Sequence, residues 1–179
     1  MSTMTYPLVR DCVNSLGIPV DNLSLQQAVD RIVDMAHRGA AKTHLVSTLN
    51  VDFLTNSLGY GFTRPRHPEL LNVLRSSDMV TADGFPIIWL SKIMGKPLKA
   101  RVTGSDLTPA LASRAVSEGL SLFLLGGGAG VAAAAAAALQ EANPGLKIAG
   151  TSAPFIHTQG PALADFATDD DIVLQNINN

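Results

Sequence analysis

Apolar positions recur along the chain at two periods, and the switch from one to the other predicts the elements. Leu25, Ala28, Val29, Ile32, Val33 and Ala36 return at helical spacing behind Ser24, a favoured N-cap residue, and the pattern stops at Gly39. Four short runs have the length and apolar content of strands: His44 to Ser47, Met79 to Ala82, Leu122 to Leu125, which reads as buried, and Lys147 to Thr151. Between them helical spacing returns over 51–58, 68–75, 85–94 and 106–118. A further helix leaves the glycine cluster at 126–130 and runs through seven alanines to Glu141, before Asn143-Pro144-Gly145 stops it. Leu16 to Val20 reads as a short strand or edge segment, and residues 1–15 give no defined element. Strands alternating with helices predict an α/β domain with a parallel sheet, and the segment from Leu122 to Thr151 is a βαβ unit of about 30 residues.

The stretch from Asp78 to Trp89 carries the most information. Its apolar run ends on Asp83-Gly84, Gly84 permits a tight turn, and Pro86 sits in the first helical turn, where a missing N–H is tolerated. Asp83 then stands at the C-terminal end of a strand, the edge where open α/β sheets bind ligands. Two readings stand: a carboxylate aimed at a substrate, or a residue that only caps the helix. Thr48-Leu49-Asn50 follows another strand-like run as a turn, and Arg101-Val102-Thr103-Gly104-Ser105-Asp106 gathers polar side chains around a glycine before a helix. Three polar strand-to-helix junctions in one half of the chain predict a single rim of a parallel sheet.

Composition narrows the class. A chain of 179 residues suits one packed domain, and 46% hydrophobic against 16% charged residues argues for a large core and against disorder. A net charge of -2 without clustered cations disfavours a nucleic-acid partner. A lone cysteine, Cys12, excludes an internal disulfide and a cysteine-based zinc site, and reads as a small apolar filler. The start of the chain has no signal-peptide pattern and no stretch has the length of a spanning helix, which points to a soluble cytoplasmic protein that can touch a membrane surface. Lys92, Lys96, Lys99 and Arg101 lie among Trp89, Leu90, Ile93 and Met94. An ordinary amphipathic helix on the sheet accounts for this, and a surface for anionic lipid headgroups is the functional alternative.

Candidate chemistry at other positions is thinner. Gly126, Gly127 and Gly128 open a helix whose N-terminus suits an anion such as a nucleotide-sugar diphosphate; close helix-to-sheet packing without a ligand accounts for them equally. As a dinucleotide fingerprint the cluster fails, because Val131 stands where a third glycine or alanine belongs and no acidic residue follows the strand near Gly150. This disfavours a nicotinamide-dependent oxidoreductase. The four histidines show no ligand spacing and Asp169-Asp170-Asp171 reads as a helix start, so no metal is expected. The segment 59–68, with two arginines, two prolines and two glycines, reads as an exposed loop.

In order and spacing, Thr48-Leu49-Asn50, Thr81 to Trp89, Arg101 to Leu107 and Leu122 to Gly127 resemble the WecG/TagA/CpsF glycosyltransferases, from about Leu16 to the end of the chain. The resemblance implies a Rossmann-like parallel sheet flanked by helices, a single domain over 16–179. It also implies inverting transfer of a hexose, N-acetylhexosamine or hexuronic acid from a UDP-sugar, with no other cofactor, to a polyprenyl-diphosphate-linked sugar at the inner face of the cell membrane. Such enzymes build teichoic acid linkage units and other surface polysaccharides. An inverting transferase needs a base for the acceptor hydroxyl and groups that steady the departing diphosphate. Asp83 matches the family's proposed base, and Thr48 and Asn50 would orient the acceptor or Asp83 itself. Gly84, Arg101, Thr103, Gly104 and Asp106 are candidate substrate contacts, although Asp106 also suits an N-cap and Arg101 a plain surface charge. Gly126 to Gly128 are the candidate nucleotide contacts. Family members run on through a further strand and a glycine-rich turn thought to help bind the nucleotide. The 179 residues are therefore expected to carry the acceptor and base side with only part of the donor side, and to be weakly active without the rest. A non-catalytic nucleotide- or sugar-binding module is the alternative, and the oligomeric state is left open.

Overall fold

In the computed structural model, residues 10–38, 43–58 and 65–154 are described, and the chain divides into two compact units, one ending at Thr108 and the other starting at Pro109. The first unit begins with an antiparallel hairpin of β1 (Cys12–Ser15) and β2 (Ile18–Asp21), in which Cys12 pairs with Asp21 and Ser15 with Ile18. Its two-residue turn, Leu16-Gly17, has φ of 53° and 91°. Positive φ at both central positions is the form whose twist suits a hairpin. Strand β1 thus begins inside the stretch for which the pattern gave no element, and Leu16 and Gly17 are turn rather than strand. Four alternating residues are too few to stand out from noise in a sequence.

Helix α1 (Leu25–Arg38) starts as its pattern predicts: Ser24 Oγ accepts from the Gln27 N–H at 3.3 Å while Gln27 Oε1 accepts from the Ser24 N–H at 3.0 Å. This reciprocal pair is a capping box. Strand β3 (Val46–Leu49) and helix α2 (Val51–Leu58) follow, then α3 (Pro68–Ser76), β4 (Met79–Ala82), α4 (Phe85–Ile93) and α5 (Gly104–Glu118). The β3 strand sits two residues later than the run His44 to Ser47 predicts, so Thr48 belongs to the strand and not to the turn. Strands β3 and β4 pair in parallel, Val46 with Met79 through Leu49 with Ala82. Leu49, Val80 and Ala82 pack on one side into a core with Val13, Ile18, Val20, Leu71, Leu74 and Ile87.

A buried ion cluster ties the hairpin to this pair. Asp21 Oδ2 accepts from Arg10 at 2.6 Å and from the backbone N–H of Val80 at 2.8 Å, while Oδ1 accepts from Arg31 at 2.8 Å. Burial opposes ionisation of Asp21, but the Arg10 and Val80 hydrogen bonds and the two guanidinium charges outweigh it and hold the carboxyl below its ordinary range. Cys12 is not a plain filler: it is half-buried, its Sγ lies 3.6 Å from Asp21 Oδ1, and desolvation with that carboxylate raises its pKa.

The second unit holds the rest of α5, then β5 (Ser121–Leu125), α6 (Val131–Ala142) and β6 (Lys147–Ser152). Strands β5 and β6 pair in parallel around α6, which bears out the βαβ unit. Ala112, Ala115 and Leu146 form its buried cluster, with Leu120, Leu122, Leu139 and Ile148 against it. Strand β5 is less buried than its sequence predicts, with Leu125 52% exposed, because β6 is its only paired strand among the described residues. The architecture is α/β with parallel strand pairs and flanking helices. No described helix is long and apolar enough to cross a membrane.

Candidate active site

Register brings the first two polar stretches together. In paired parallel strands, residues in register share a face and alternate residues lie on the same side. Val46 and Met79, then Thr48 and Thr81, therefore occupy one face of the β3–β4 pair, opposite the one that carries Leu49 and Ala82. The ladder continues one step further, since the Asp83 N–H donates to the Leu49 carbonyl at 2.8 Å. Asp83 and Asn50 are thereby side by side at the C-terminal edge, at the strand spacing of roughly 5 Å. Polarity rises along this face from Val46 and Met79 to Asn50 and Asp83.

Asp83 does not cap α4. The N-cap is Gly84, with φ of 126° and no side-chain cap bond, and that positive φ is a conformation in which any side chain is strained. Among the described residues no hydrogen bond or ion pair engages the half-buried Asp83 carboxylate. A carboxylate at a strand end that neither caps nor pairs retains its acceptor capacity for a ligand. Asn50 is committed on one side only: its Oδ1 accepts from the Phe53 N–H at 2.8 Å, capping α2, and its Nδ2 donors remain.

The third polar stretch joins the same edge, though not as a strand-to-helix junction. No strand precedes α5; instead the Val102 N–H donates to the Ala82 carbonyl at 2.8 Å, which lays the loop beside the end of β4. Thr103 is the N-cap, its Oγ1 accepting from the Asp106 N–H at 3.0 Å. The cap reading of Asp106 is therefore replaced: Asp106 lies in the first turn of α5, and its Oδ2 is 3.4 Å from an Arg101 guanidinium nitrogen. The Arg101 guanidinium also lies 5.3 Å from the centroid of the Phe85 ring. At Gly104 an added Cβ would come 3.9 Å from Thr48 Cγ2, so the start of α5 abuts the face that carries Thr48. Thr48, Asn50, Asp83, Gly84, Arg101, Thr103, Gly104 and Asp106 thus share one end of the first unit.

Gly126, Gly127 and Gly128 belong to the second unit. They form a turn before α6 in which Gly127 and Gly128 are exposed while Gly126 is half-buried and donates its N–H to the Ser152 carbonyl at 2.9 Å; the N-cap of α6 is Gly130 in the left-handed region with φ of 79°. Gly127, with φ of 78°, has a specific steric reason: a Cβ there would come 2.9 Å from Val131 Cγ1. Gly128 has no such restraint.

Two residues at the first site went unnoticed in the sequence. Thr81, on the face of Asp83 and Thr48, is 1% exposed and its Oγ1 has no partner among the described residues. Phe85 meets both Arg101 and, at 6.4 Å between ring centroids, Trp89. The first was legible as the position two before Asp83 in a strand; the second needed the turn geometry. The arginine-bearing loop 59–68 lies largely outside the described residues, as does Asp169-Asp170-Asp171.

Residues 13–179 match the Glycosyl transferase WecG/TagA/CpsF family, which covers nearly all of the chain and includes every site residue named above. The chain belongs to this family. Among curated relatives it is 30% identical over 126 residues to the N-acetylglucosaminyldiphosphoundecaprenol N-acetyl-beta-D-mannosaminyltransferase of Bacillus spizizenii, covering 65% of this chain and 49% of that protein. A Staphylococcus aureus protein of the same description is 27% identical over 137 residues, 76% of this chain and 51% of its own length. The chain spans about half the length of the curated relatives it matches. Asp83 and Asn50 follow the C-terminal ends of a parallel strand pair, the kind of edge at which open α/β sheets bind ligands.

Proposed function

We propose that this chain supplies the acceptor and base side of an inverting glycosyltransferase, with Asp83 as the general base. In this reading the Asp83 carboxylate takes the proton of an acceptor hydroxyl as that oxygen attacks the anomeric carbon of a UDP-sugar, and UDP leaves from the opposite face. The observation that carries it is the Asp83 carboxylate, without a partner among the described residues, beside Asn50, whose Nδ2 donors are likewise unengaged among them. Asn50 Nδ2 would hold the acceptor sugar or the base, and Arg101 would draw anionic groups toward the edge. Taken by itself, the turn before α6 would offer the Gly127 and Gly128 N–H groups to an anion such as a diphosphate, the Gly126 N–H being spent on the Ser152 carbonyl at 2.9 Å. By likeness to the named relatives, the transferred sugar would be N-acetylmannosamine and the acceptor N-acetylglucosaminyl-diphosphoundecaprenol, and reaction at the cytoplasmic membrane face is part of the same proposal. Reaction without a metal ion is part of the same proposal, resting on the spacing of the four histidines, which does not suit a ligand set.

The test is UDP release and product formation from UDP-N-acetylmannosamine and a lipid-linked N-acetylglucosamine acceptor, with the unaltered chain and Asp83→Asn compared. Turnover that falls in the variant while UDP binding persists supports the reading. Saturable UDP-sugar binding without turnover by the unaltered chain would instead make it a non-catalytic binding module, and an unimpaired Asp83→Asn would remove the proposed base.

A further inference from the structure

Helix α4 turns an apolar face outward. Phe85 is 60% exposed, Trp89 59% and Ile93 83%, while Ile87, Ile88 and Ser91 on the other side are buried. At about 100° per residue, positions 85, 89 and 93 fall within one arc of roughly 80°, and Lys92 falls roughly 20° outside it on the Phe85 side. Three large apolar side chains lined along one face of a nine-residue helix exceed the scattered exposure of an ordinary surface.

Along α4 and the turn that follows it the charge has one sign, while the carboxylates Asp83 and Asp106 lie just outside at the Phe85 end, Asp106 against Arg101. From Gly84 to Ser105 the sequence carries Lys92, Lys96, Lys99 and Arg101 and no Asp or Glu. Lys92 and Lys96 are exposed and neither is ion-paired among the described residues, whereas Lys99 reaches Asp11 at 3.8 Å and Arg101 reaches Asp106 at 3.4 Å. A second copy of the same face would bring lysines against lysines, which like-charge repulsion disfavours. An anionic bilayer suits both features, because aromatic and aliphatic side chains enter the headgroup boundary while lysines contact lipid phosphates. The face begins at Phe85, two residues from Asp83.

We propose that the Phe85, Trp89 and Ile93 face of α4, with Lys92 beside it and Lys96 in the turn past its end, docks on an anionic lipid bilayer. The purpose of the contact rests on the glycosyl-transfer reading, which needs a lipid-borne acceptor; the contact itself does not, and is measured without donor or acceptor.

Trp89 is the only tryptophan of the chain, so its emission reports on this face alone. The full chain is titrated with vesicles of equal parts phosphatidylcholine and phosphatidylglycerol, and with phosphatidylcholine alone. The expected result is a blue shift with the anionic vesicles that weakens at high salt, and a partition coefficient at least about tenfold lower in Lys92→Glu/Lys96→Glu. Circular dichroism confirms that this exposed double variant is folded, and Ile93→Ser provides a charge-neutral second variant that also binds less. Absence of a shift, an equal shift with phosphatidylcholine alone, or an emission already blue-shifted without vesicles would each overturn the proposal. The last would mean that another copy or another part of the chain covers the face. Loss of sugar transfer with vesicle binding intact would refute the glycosyl-transfer reading and leave the docking surface standing.

Discussion

The N–H of Asp83 donates to the carbonyl of Leu49 at 2.8 Å, one rung beyond the last paired residues of β3 and β4. This bond sets Asp83 beside Asn50 while the turn at Gly84 leaves the carboxylate without a capping duty. The same two strands that build the core with Leu49, Val80 and Ala82 thus end in the polar pair that would do chemistry.

Asp83→Asn keeps size and removes the base. Turnover should fall by about 10²–10⁴, the usual contribution of a positioned general base, with the substrate KM little altered. Steady-state kinetics with a thermal melt checks this; an unchanged melting temperature separates a lost proton acceptor from a lost fold.

Asn50 has two separable duties. Asn50→Ala removes the α2 cap and should cost about 1 kcal/mol, whereas Asn50→Ser keeps a capping oxygen, loses the Nδ2 donors and adds no charge beside Asp83. If those donors orient acceptor or base, Asn50→Ser melts near the unaltered chain yet loses activity. Denaturant unfolding alongside the transfer assay gives both readouts.

The Asp21 cluster predicts an acid limb of stability. Because the folded-state pKa of Asp21 is lowered, its contribution is fully present above the unfolded carboxylate value of about 3.9 and is lost as pH falls through the folded value. Asp21→Ala should cost on the order of 3 kcal/mol at neutral pH, since it strands two guanidinium groups and the Val80 N–H. Chemical unfolding between neutral pH and the acid range, with and without the substitution, measures the difference, and the variant should lose the acid-dependent slope that Asp21 contributes.

The glycine turn before α6 separates packing from binding. Gly127→Ala forces a side chain into the left-handed region against Val131 and should destabilise by about 1–2 kcal/mol. Gly128→Ala has room and ordinary φ, so its stability should change by less than about 0.5 kcal/mol. Calorimetry with UDP then decides the turn's role: weaker binding by the stable Gly128→Ala protein supports diphosphate contact, and unchanged binding leaves Gly127 as a packing residue only.

The sequence by itself determined the elements whose signals are local. Helical periodicity behind Ser24 gave α1 and its start, Asn143-Pro144-Gly145 gave the end of α6, and the motif order from Thr48 to Gly127 gave the family, because caps, turn residues and spacing act within a few positions of the chain. Tertiary structure decided what depends on partners distant along the chain. It set β3 two residues later and so put Thr48 on the face of Thr81, released Asp83 from capping, moved the cap of α5 from Asp106 to Thr103, and paired Asp21 with Arg10 and Arg31. Register and ion pairing are fixed by which residues meet in three dimensions, and a helical pattern names the apolar positions without saying that Phe85, Trp89 and Ile93 would be left facing outward.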